Sequence, residues 1–217
     1  MEINKDFASF TRLLAMGDWL KLKRFNSKKL YEELQEFANE WKTYNSLKPD
    51  NKRYGLSVTS LDGGLSGVPD LESLLEYNNK NGTSYTNADI NKKTEVYEKC
   101  PTLQKILKPF EPWLTRCHFI KLDSGGFFPE HYDIEKIDLA TNEIRLIGFV
   151  NRNHISQFKF CYEDNLVQNI VDGDLYYFNA NKHHSVFSMT DDSIQLVIML
   201  KYDYELYKVL VENYVYK

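Results

Sequence analysis

Short runs rich in β-branched and aromatic residues follow one another through the C-terminal half of the chain. After a first run that begins at Arg116, the others are Glu143–Val150, Gln157–Tyr162, Asp174–Phe178, His184–Ser188 and Ser193–Leu200. Evenly spaced short strands with turn residues between them are typical of antiparallel sandwiches and jelly rolls. The pattern therefore predicts a mainly β core from Arg116 to Lys201.

Apolar residues at helical spacing occur in the N-terminal half and again at the C-terminus. A stripe at four-, three- and four-residue intervals predicts a helix with Ser27 as its N-cap; it consists of Leu30, Leu34, Phe37 and Trp41. Further helices are predicted from Pro69 to Glu76, from Pro101 to a point before Pro109, and from Tyr202 to Lys217. We expect these helices to flank the β core.

Three other segments of the N-terminal half have weaker patterns. The apolar positions from Phe7 to Leu22 fit no single period, and we predict a strand near Phe10–Leu14. Gly55–Leu61 predicts a second strand. The polar stretch Tyr77–Lys93 has little to bury, which predicts a surface loop, with a mobile lid as the alternative.

No segment before Arg116 has the composition of a linker, so we predict a single domain over residues 1–217. Residues 1–115 would form a buttress of helices and strands, residues 116–201 the β core, and residues 202–217 a closing helix. A length of 217 residues allows one domain with a sizeable core.

Charge and cysteine content narrow the range of partners. The net charge is -4 with both signs mixed along the chain, which argues against a nucleic-acid partner. No apolar run approaches the roughly 18 residues of a membrane span, and the first residues lack a signal-peptide pattern. The three cysteines form no Cys-x-x-Cys pair, as expected for free thiols in a reducing compartment. We expect a cytoplasmic protein with no membrane partner.

The candidate chemistry lies in the His131-Tyr-Asp133 triplet and in the pair His183-His184. Residues two apart on extended chain project to the same side, so one metal ion could contact both His131 and Asp133. A third ligand from His183 or His184 would complete the two-histidine, one-carboxylate set of non-haem iron(II) oxygenases. Neighbouring strand residues face opposite ways, so only one of the two histidines can point inward. The alternative is that these histidines form surface hydrogen bonds only.

Four segments, taken in order, resemble one known family. They are the Gly-Gly turn with its His-x-Asp triplet, an Arg-led strand that ends in Asn, a Gly-turn strand, and a His-x-Val strand: Asp123–Asp133, Arg145–Asn151, Val171–Asn179 and His184–Ser188. Together they resemble the aspartyl/asparaginyl β-hydroxylase-like branch of the 2-oxoglutarate and iron(II)-dependent oxygenases. The match covers about ninety residues of the C-terminal half.

The resemblance implies a double-stranded β-helix, which is a cupin-like jelly roll. It implies iron(II) held by His131, Asp133 and His184, because the family's distal histidine precedes x-Val. It also implies that 2-oxoglutarate is decarboxylated to succinate while an amino-acid side chain, free or within a peptide, is hydroxylated. The expected partners are this cosubstrate and that substrate.

One departure from the family pattern concerns the cosubstrate. The family strand that follows the distal histidine usually carries an arginine for the remote carboxylate of 2-oxoglutarate, but Ser193–Gln195 holds no cation. Arg145 and Lys201 are the candidates on predicted core strands, and we predict that Arg145 has this role. A non-oxidative metal-binding cupin, or a pseudo-enzyme that acts as a binding protein, is the alternative function.

Overall fold

The computed structural model describes residues 4–133, 143–152, 158–163, 165–166 and 170–214, and for residues 158–160 the backbone alone. These ranges contain six α-helices: α1 (Lys5–Met16), α2 (Ser27–Leu34), α3 (Leu74–Asn81), α4 (Glu95–Lys99), α5 (Pro101–Leu107) and α6 (Tyr204–Asn213). They also contain short N-terminal strands: β1 (Trp19–Arg24), β2 (Lys42–Thr43), β3 (Arg53–Ser57), β4 (Thr59–Ser60) and β5 (Lys92–Lys93). The remaining strands are β6 (Leu114–Leu122), β7 (Phe127–His131), β8 (Glu143–Asn151), β9 (Phe158–Tyr162), β10 (Asn165–Leu166), β11 (Asp174–Phe178), β12 (His184–Ser188) and β13 (Ser193–Lys201).

Two antiparallel sheets form the core of the described structure. The large sheet has the strand order β1-β11-β8-β13-β6-β3-β2, and the small sheet has the order β10-β9-β12-β7. From β6 onward the chain alternates between the two sheets, with β6, β8, β11 and β13 in the large one and with β7, the β9–β10 hairpin and β12 in the small one. This alternation is the double-stranded β-helix, or jelly roll, that was expected, and the predicted fold class is confirmed.

The continuous apolar runs of the sequence arise because both faces of the large sheet are covered. On β13, Ile194, Leu196 and Ile198 are buried on the outer face, in the same core cluster as residues of the helices. Val197 belongs to a second cluster between the sheets, together with Ile120 of β6. Side chains alternate between the faces of a strand, so a strand covered on both sides needs apolar residues at nearly every position.

The N-terminal half extends the large sheet and covers its outer face. β1 pairs with β11, and β3 pairs with β6. The predicted helices α2, α5 and α6 are present, although the predicted end of the last one, at 215–217, lies outside the described residues. The first of them is shorter than predicted, because α2 ends at Leu34, a 3₁₀ turn follows over Gln35–Phe37, and Trp41 lies beyond both. None of the described helices has the length and apolar character that a bilayer crossing requires. The single-domain organisation stays a prediction.

The predicted strand near Phe10–Leu14 is wrong, because this segment lies within α1. Asn4 caps the helix by accepting hydrogen bonds from Asp6 and Phe7 through its side-chain oxygen. The mixed period of the sequence arises because only two residues separate the end of α1 from the start of β1. A helical and an extended pattern therefore follow each other without a visible break.

The predicted helix from Pro69 to Glu76 begins later than expected, since α3 starts at Leu74 with Ser73 as its N-cap. The preceding carbonyl groups have other partners: Arg116 donates through Nε to Asp70 O at 2.7 Å and through Nη2 to Glu72 O at 3.0 Å. Long-range hydrogen bonds thus keep these residues out of the helix in which their local propensity would place them. The polar stretch Tyr77–Lys93 contains the end of α3, a 3₁₀ turn and β5.

The Gly-Gly turn between β6 and β7 has the conformation that its residues suggest. Gly125 has φ of +80°, which favours glycine, and a Cβ on Gly126 would lie 2.6 Å from Lys52 O. The chain can therefore reverse tightly against β3 and deliver β7 to the small sheet.

The cap of α2 allows a first test of the fold. Asn26, and not the predicted Ser27, is the N-cap, and its side chain accepts from Lys29 N at 3.0 Å. Asn26→Ala should lower the free energy of unfolding by about 1 kcal/mol, whereas Ser27→Ala should change it by only a few tenths. Urea denaturation of the two variants measures the difference. Equal losses would contradict the observed cap.

Candidate metal centre and its cavity

Three side chains predicted to bind a metal meet at one end of the jelly roll. His131 ends β7, and His184 begins β12 as its direct cross-strand partner. Asp133 follows β7 by two residues, and its backbone N–H donates to Ala180 O at 3.0 Å. One ligand atom from each of the three residues can be chosen so that all lie within 4.8 Å of one another. Strand pairing and one backbone hydrogen bond therefore bring the three side chains together.

Both imidazoles of this triad are oriented by backbone carbonyls. His131 Nδ1 lies 2.7 Å from Pro129 O, and His184 Nδ1 lies 2.9 Å from Lys182 O. A carbonyl only accepts, so each Nδ1 carries the hydrogen and each Nε2 keeps its lone pair. The Nε2 atoms lie 3.4 and 3.5 Å from the two oxygens of Asp133. Such hydrogen bonds to the second imidazole nitrogen are usual for metal-binding histidines, so these residues fit a divalent ion.

The two neighbouring histidines have different surroundings. His184 is buried, whereas His183 is about half exposed, bonds to Glu130 through Nδ1 at 2.7 Å and stacks on the ring of Tyr132. The structure thus places His184 in the triad and leaves His183 outside it. The role of His131, Asp133 and His184 as metal ligands stays a prediction.

A cation and burial set the charge state of the triad. Burial acts to raise the pKa of Asp133, but the charge of Arg145 outweighs it and holds this pKa well below its usual value. Arg145 Nη1 donates to Asp133 Oδ2. Burial lowers the pKa of His184 to about 4, against the opposing effect of Asp133. At neutral pH the triad therefore offers a carboxylate and a neutral buried imidazole, both suited to a metal ion.

The triad opens into a cavity of about 460 Å³ between the two sheets. This volume lies in the range of small-molecule sites. The triad residues line one part of it, together with the apolar side chains of Ile147, Phe178 and Val186. At another part the lining consists of Tyr44, Asn45, Lys48, Arg53 and residues 72–75. The polar stretch Tyr77–Lys93 contributes Asn87, which donates to Glu143 at 2.7 Å, and its role as a lid stays a prediction.

Sequence analysis missed four polar residues that line this cavity from the large sheet. They are Arg53 on β3, Arg116 and His118 on β6, and Gln195 on β13. A signal was present, because residues 116 and 118 are polar positions of equal parity in a mostly apolar strand. Arg53 was missed because the predicted strand begins at Gly55, whereas β3 begins two residues earlier, at Arg53.

The two predicted cosubstrate residues lie in different places. Arg145 lines the cavity at the triad, where Asp133 is its partner. Lys201 is exposed at the end of β13, opposite Glu143, and is not among the residues that line the cavity. Binding of the remote carboxylate by either residue stays a prediction.

Comparisons with known proteins give low similarity. No protein-family model matches the sequence, and no curated protein matches it. Among solved structures, a Pseudomonas putida prolyl-4-hydroxylase is 14% identical with a TM-score of 0.48, over 89% of this chain and 97% of that one. A Trichoplax adhaerens prolyl hydroxylase in complex with a hypoxia inducible factor peptide is 12% identical with a TM-score of 0.47, over 95% and 93%. An RmlC-like cupin protein from Desulfovibrio desulfuricans is 15% identical with a TM-score of 0.31, over 40% and 71%. We base no assignment on similarities this low.

Proposed function

We propose that this protein is an oxygenase that uses iron(II) and 2-oxoglutarate to hydroxylate an amino-acid side chain, either free or within a peptide. One observation carries the proposal: the Nε2 atoms of His131 and His184 and the carboxylate of Asp133 converge where a small-molecule cavity begins. Two imidazoles and one carboxylate leave coordination positions open, as non-haem iron(II) oxygenases require. The sequence resemblance supports the same reading.

The residues of this chain would position and protect the reacting groups. Bound iron(II) would supply oxygen activation, with 2-oxoglutarate decarboxylated to succinate as the substrate carbon is hydroxylated. Arg145 holds one oxygen of Asp133, which leaves the other oxygen for the ion. Phe178 packs edge-on against His184, with ring centroids 5.3 Å apart, and helps to exclude water from that side of the site.

The finer parts of the proposal rest on the sequence. The aspartyl/asparaginyl hydroxylase branch, the amino-acid or peptide substrate and the cytoplasmic location are proposed from the resemblance and from the composition. Three free cysteines and a net charge of -4 fit a cytoplasmic enzyme that acts on a small molecule or a peptide.

Turnover of 2-oxoglutarate in the absence of substrate tests this function. The purified protein with iron(II), oxygen and 2-oxoglutarate should release succinate slowly, and the His131→Ala variant should release none above the rate of free iron(II). Succinate is measured by mass spectrometry. Tight metal binding with neither succinate nor 2-oxoglutarate binding would contradict the proposal and favour a non-oxidative cupin or a binding protein.

A further inference from the structure

Three buried polar atoms that line the cavity have no hydrogen-bond partner among the described residues. They are Arg53 Nε, His118 Nδ1 and Gln195 Oε1. They come from β3, β6 and β13, and the order β13-β6-β3 makes these strands neighbours in the large sheet. A buried polar atom without a partner costs about 1 to 3 kcal/mol, so three on one cavity wall need an explanation.

Of these three residues, Arg53 has the side chain that most needs a hydrogen-bond partner or a counter-charge. Its side chain is buried, and no ion pair in the described part of the chain includes it. Its immediate neighbours are aromatic, with Cζ 4.1 Å from the centroid of Phe128 and 5.6 Å from that of Tyr44. Burial lowers the pKa of Arg53, yet a guanidinium stays charged at neutral pH. Arg53 is therefore a buried positive charge on the cavity wall that forms no ion pair with a described carboxylate.

The other charged groups near Arg53 already have partners. Glu76 accepts from Asn45 at 3.0 Å and pairs with Lys48 at 3.4 Å. Arg116 donates to two backbone carbonyls, and the carboxylates of Asp70 and Glu143 lie close enough to interact with its charge. The charge of Arg53 thus stays unpaired on this wall of the cavity and favours an anion there.

Phe128 connects this wall to the metal end of the cavity. Its ring centroid is 6.0 Å from that of His131 and 4.1 Å from Arg53 Cζ. The distance from the Arg53 guanidinium to the His131 imidazole therefore cannot exceed the sum of these two distances. A ligand that reaches both ends must be short, must chelate a metal at one end and must carry a negative charge at the other. A dicarboxylic 2-oxo acid has these properties.

We propose that Arg53, His118 and Gln195 bind the remote carboxylate of 2-oxoglutarate, whose 2-oxo acid end would lie at the triad. Arg53 Nε–H donates to this carboxylate, and Gln195 donates its NH₂ after a half-turn of its terminal amide, which exchanges the two atoms. His118 donates through Nδ1 when the proton is on that nitrogen. This inference rests on the proposed function, because it needs the 2-oxo acid at the metal.

The site accounts for the missing cation on β13. Gln195 occupies one of the positions where the family resemblance predicts an arginine, and it faces the cavity. The positive charge comes from β3, on the other side of β6. The chain thus keeps an anion site in the large sheet but draws its charge from an N-terminal strand.

A matched pair of acids isolates the remote carboxylate. 2-Oxopentanoate has the same carbon chain and 2-oxo acid group as 2-oxoglutarate but lacks the second carboxylate. Both are titrated calorimetrically into manganese(II)-loaded protein, and the ratio of their affinities cancels any effect on the metal end. The unmodified protein should prefer 2-oxoglutarate by about thirtyfold or more, as expected for a charge-assisted contact of a buried guanidinium.

Variants at the proposed site should lose this preference. Arg53→Met should reduce it to less than about threefold, and Gln195→Leu should reduce it by about fivefold, while affinity for 2-oxopentanoate changes little in both. Thermal melting of the metal-free variants checks folding. Arg53→Met should melt at or above the unmodified temperature, because it removes a buried unpaired charge. If Arg53→Met fails to fold, Gln195→Leu alone decides the test.

Arg145→Met and Lys201→Ala are the comparison variants, and each should keep the preference for 2-oxoglutarate. A preference that survives in Arg53→Met and Gln195→Leu would overturn the inference while leaving the proposed function intact. Loss of preference in Arg145→Met alone would transfer the role to Arg145, as the sequence predicts. If the loaded, unmodified protein binds neither acid, the proposed function itself fails.

Discussion

Alanine in place of His131, Asp133 or His184 is expected to weaken manganese(II) binding by at least about a hundredfold. Each residue contributes one of three ligand positions, and loss of one ligand costs roughly 3 kcal/mol when a metal site contributes about 10 to 16 kcal/mol in total. Manganese(II) replaces iron(II) in this measurement because it resists oxidation, and calorimetry gives the affinity. Circular dichroism should show an unchanged fold, since the triad lines a cavity.

His183→Ala is the matched control for this experiment. His183 is the chain neighbour of His184 and carries the same functional group, but it lies outside the triad and pairs with Glu130. Its variant should bind manganese(II) within about twofold of the unmodified protein, as expected for an exposed surface pair. Loss of binding in His183→Ala with binding retained in His184→Ala would show that the side chains of β12 face the opposite way.

The β core was predictable because its strands repeat a local pattern. Runs such as Ser193–Leu200 are apolar at nearly every position, and this property follows from burial on both faces of the large sheet. The segment from Phe7 to Leu22 was not predictable, because a helix and a strand follow each other within a few residues. The late start of α3 depends on Arg116, which lies 46 and 44 residues further along the chain than the two carbonyls it binds, and no local pattern reports such a contact.

The same distinction, between local sequence patterns and long-range contacts, applies to the candidate site. The spacing of His131 and Asp133 and the position of His184 before an inward-facing Val186 are local features, and the structure brings these side chains together. Arg53 belongs to the site only because β3 pairs with β6 in the large sheet. The partner of Arg145 was also unpredicted, because Arg145 lies on β8 of the large sheet and Asp133 follows β7 of the small sheet, and no local pattern reports a contact between the two sheets.

The Arg145–Asp133 pair should contribute about 2 to 3 kcal/mol of coupling to the stability of the metal-free protein. Their side chains are 18% and 15% exposed, so each charge is largely removed from water. Breaking a buried pair by removing one partner costs about 3 to 5 kcal/mol, because the remaining charge is left uncompensated. Water in the cavity can solvate that charge, which reduces the cost. Arg145→Met and Asp133→Asn should each destabilise the fold, and the double variant should lose much less than the sum of the two.

Urea denaturation with a chelator present measures this coupling, and the exposed pair of Lys42 and Glu40, at 3.5 Å, is the control. Double-mutant cycles on exposed pairs give little or no coupling, so the control should stay within experimental error. If Arg145 and Asp133 coupled no more strongly than that surface pair, the guanidinium would not be held by Asp133. Arg145 would then be free to bind the cosubstrate carboxylate, and the preference for 2-oxoglutarate should disappear in Arg145→Met and persist in Arg53→Met.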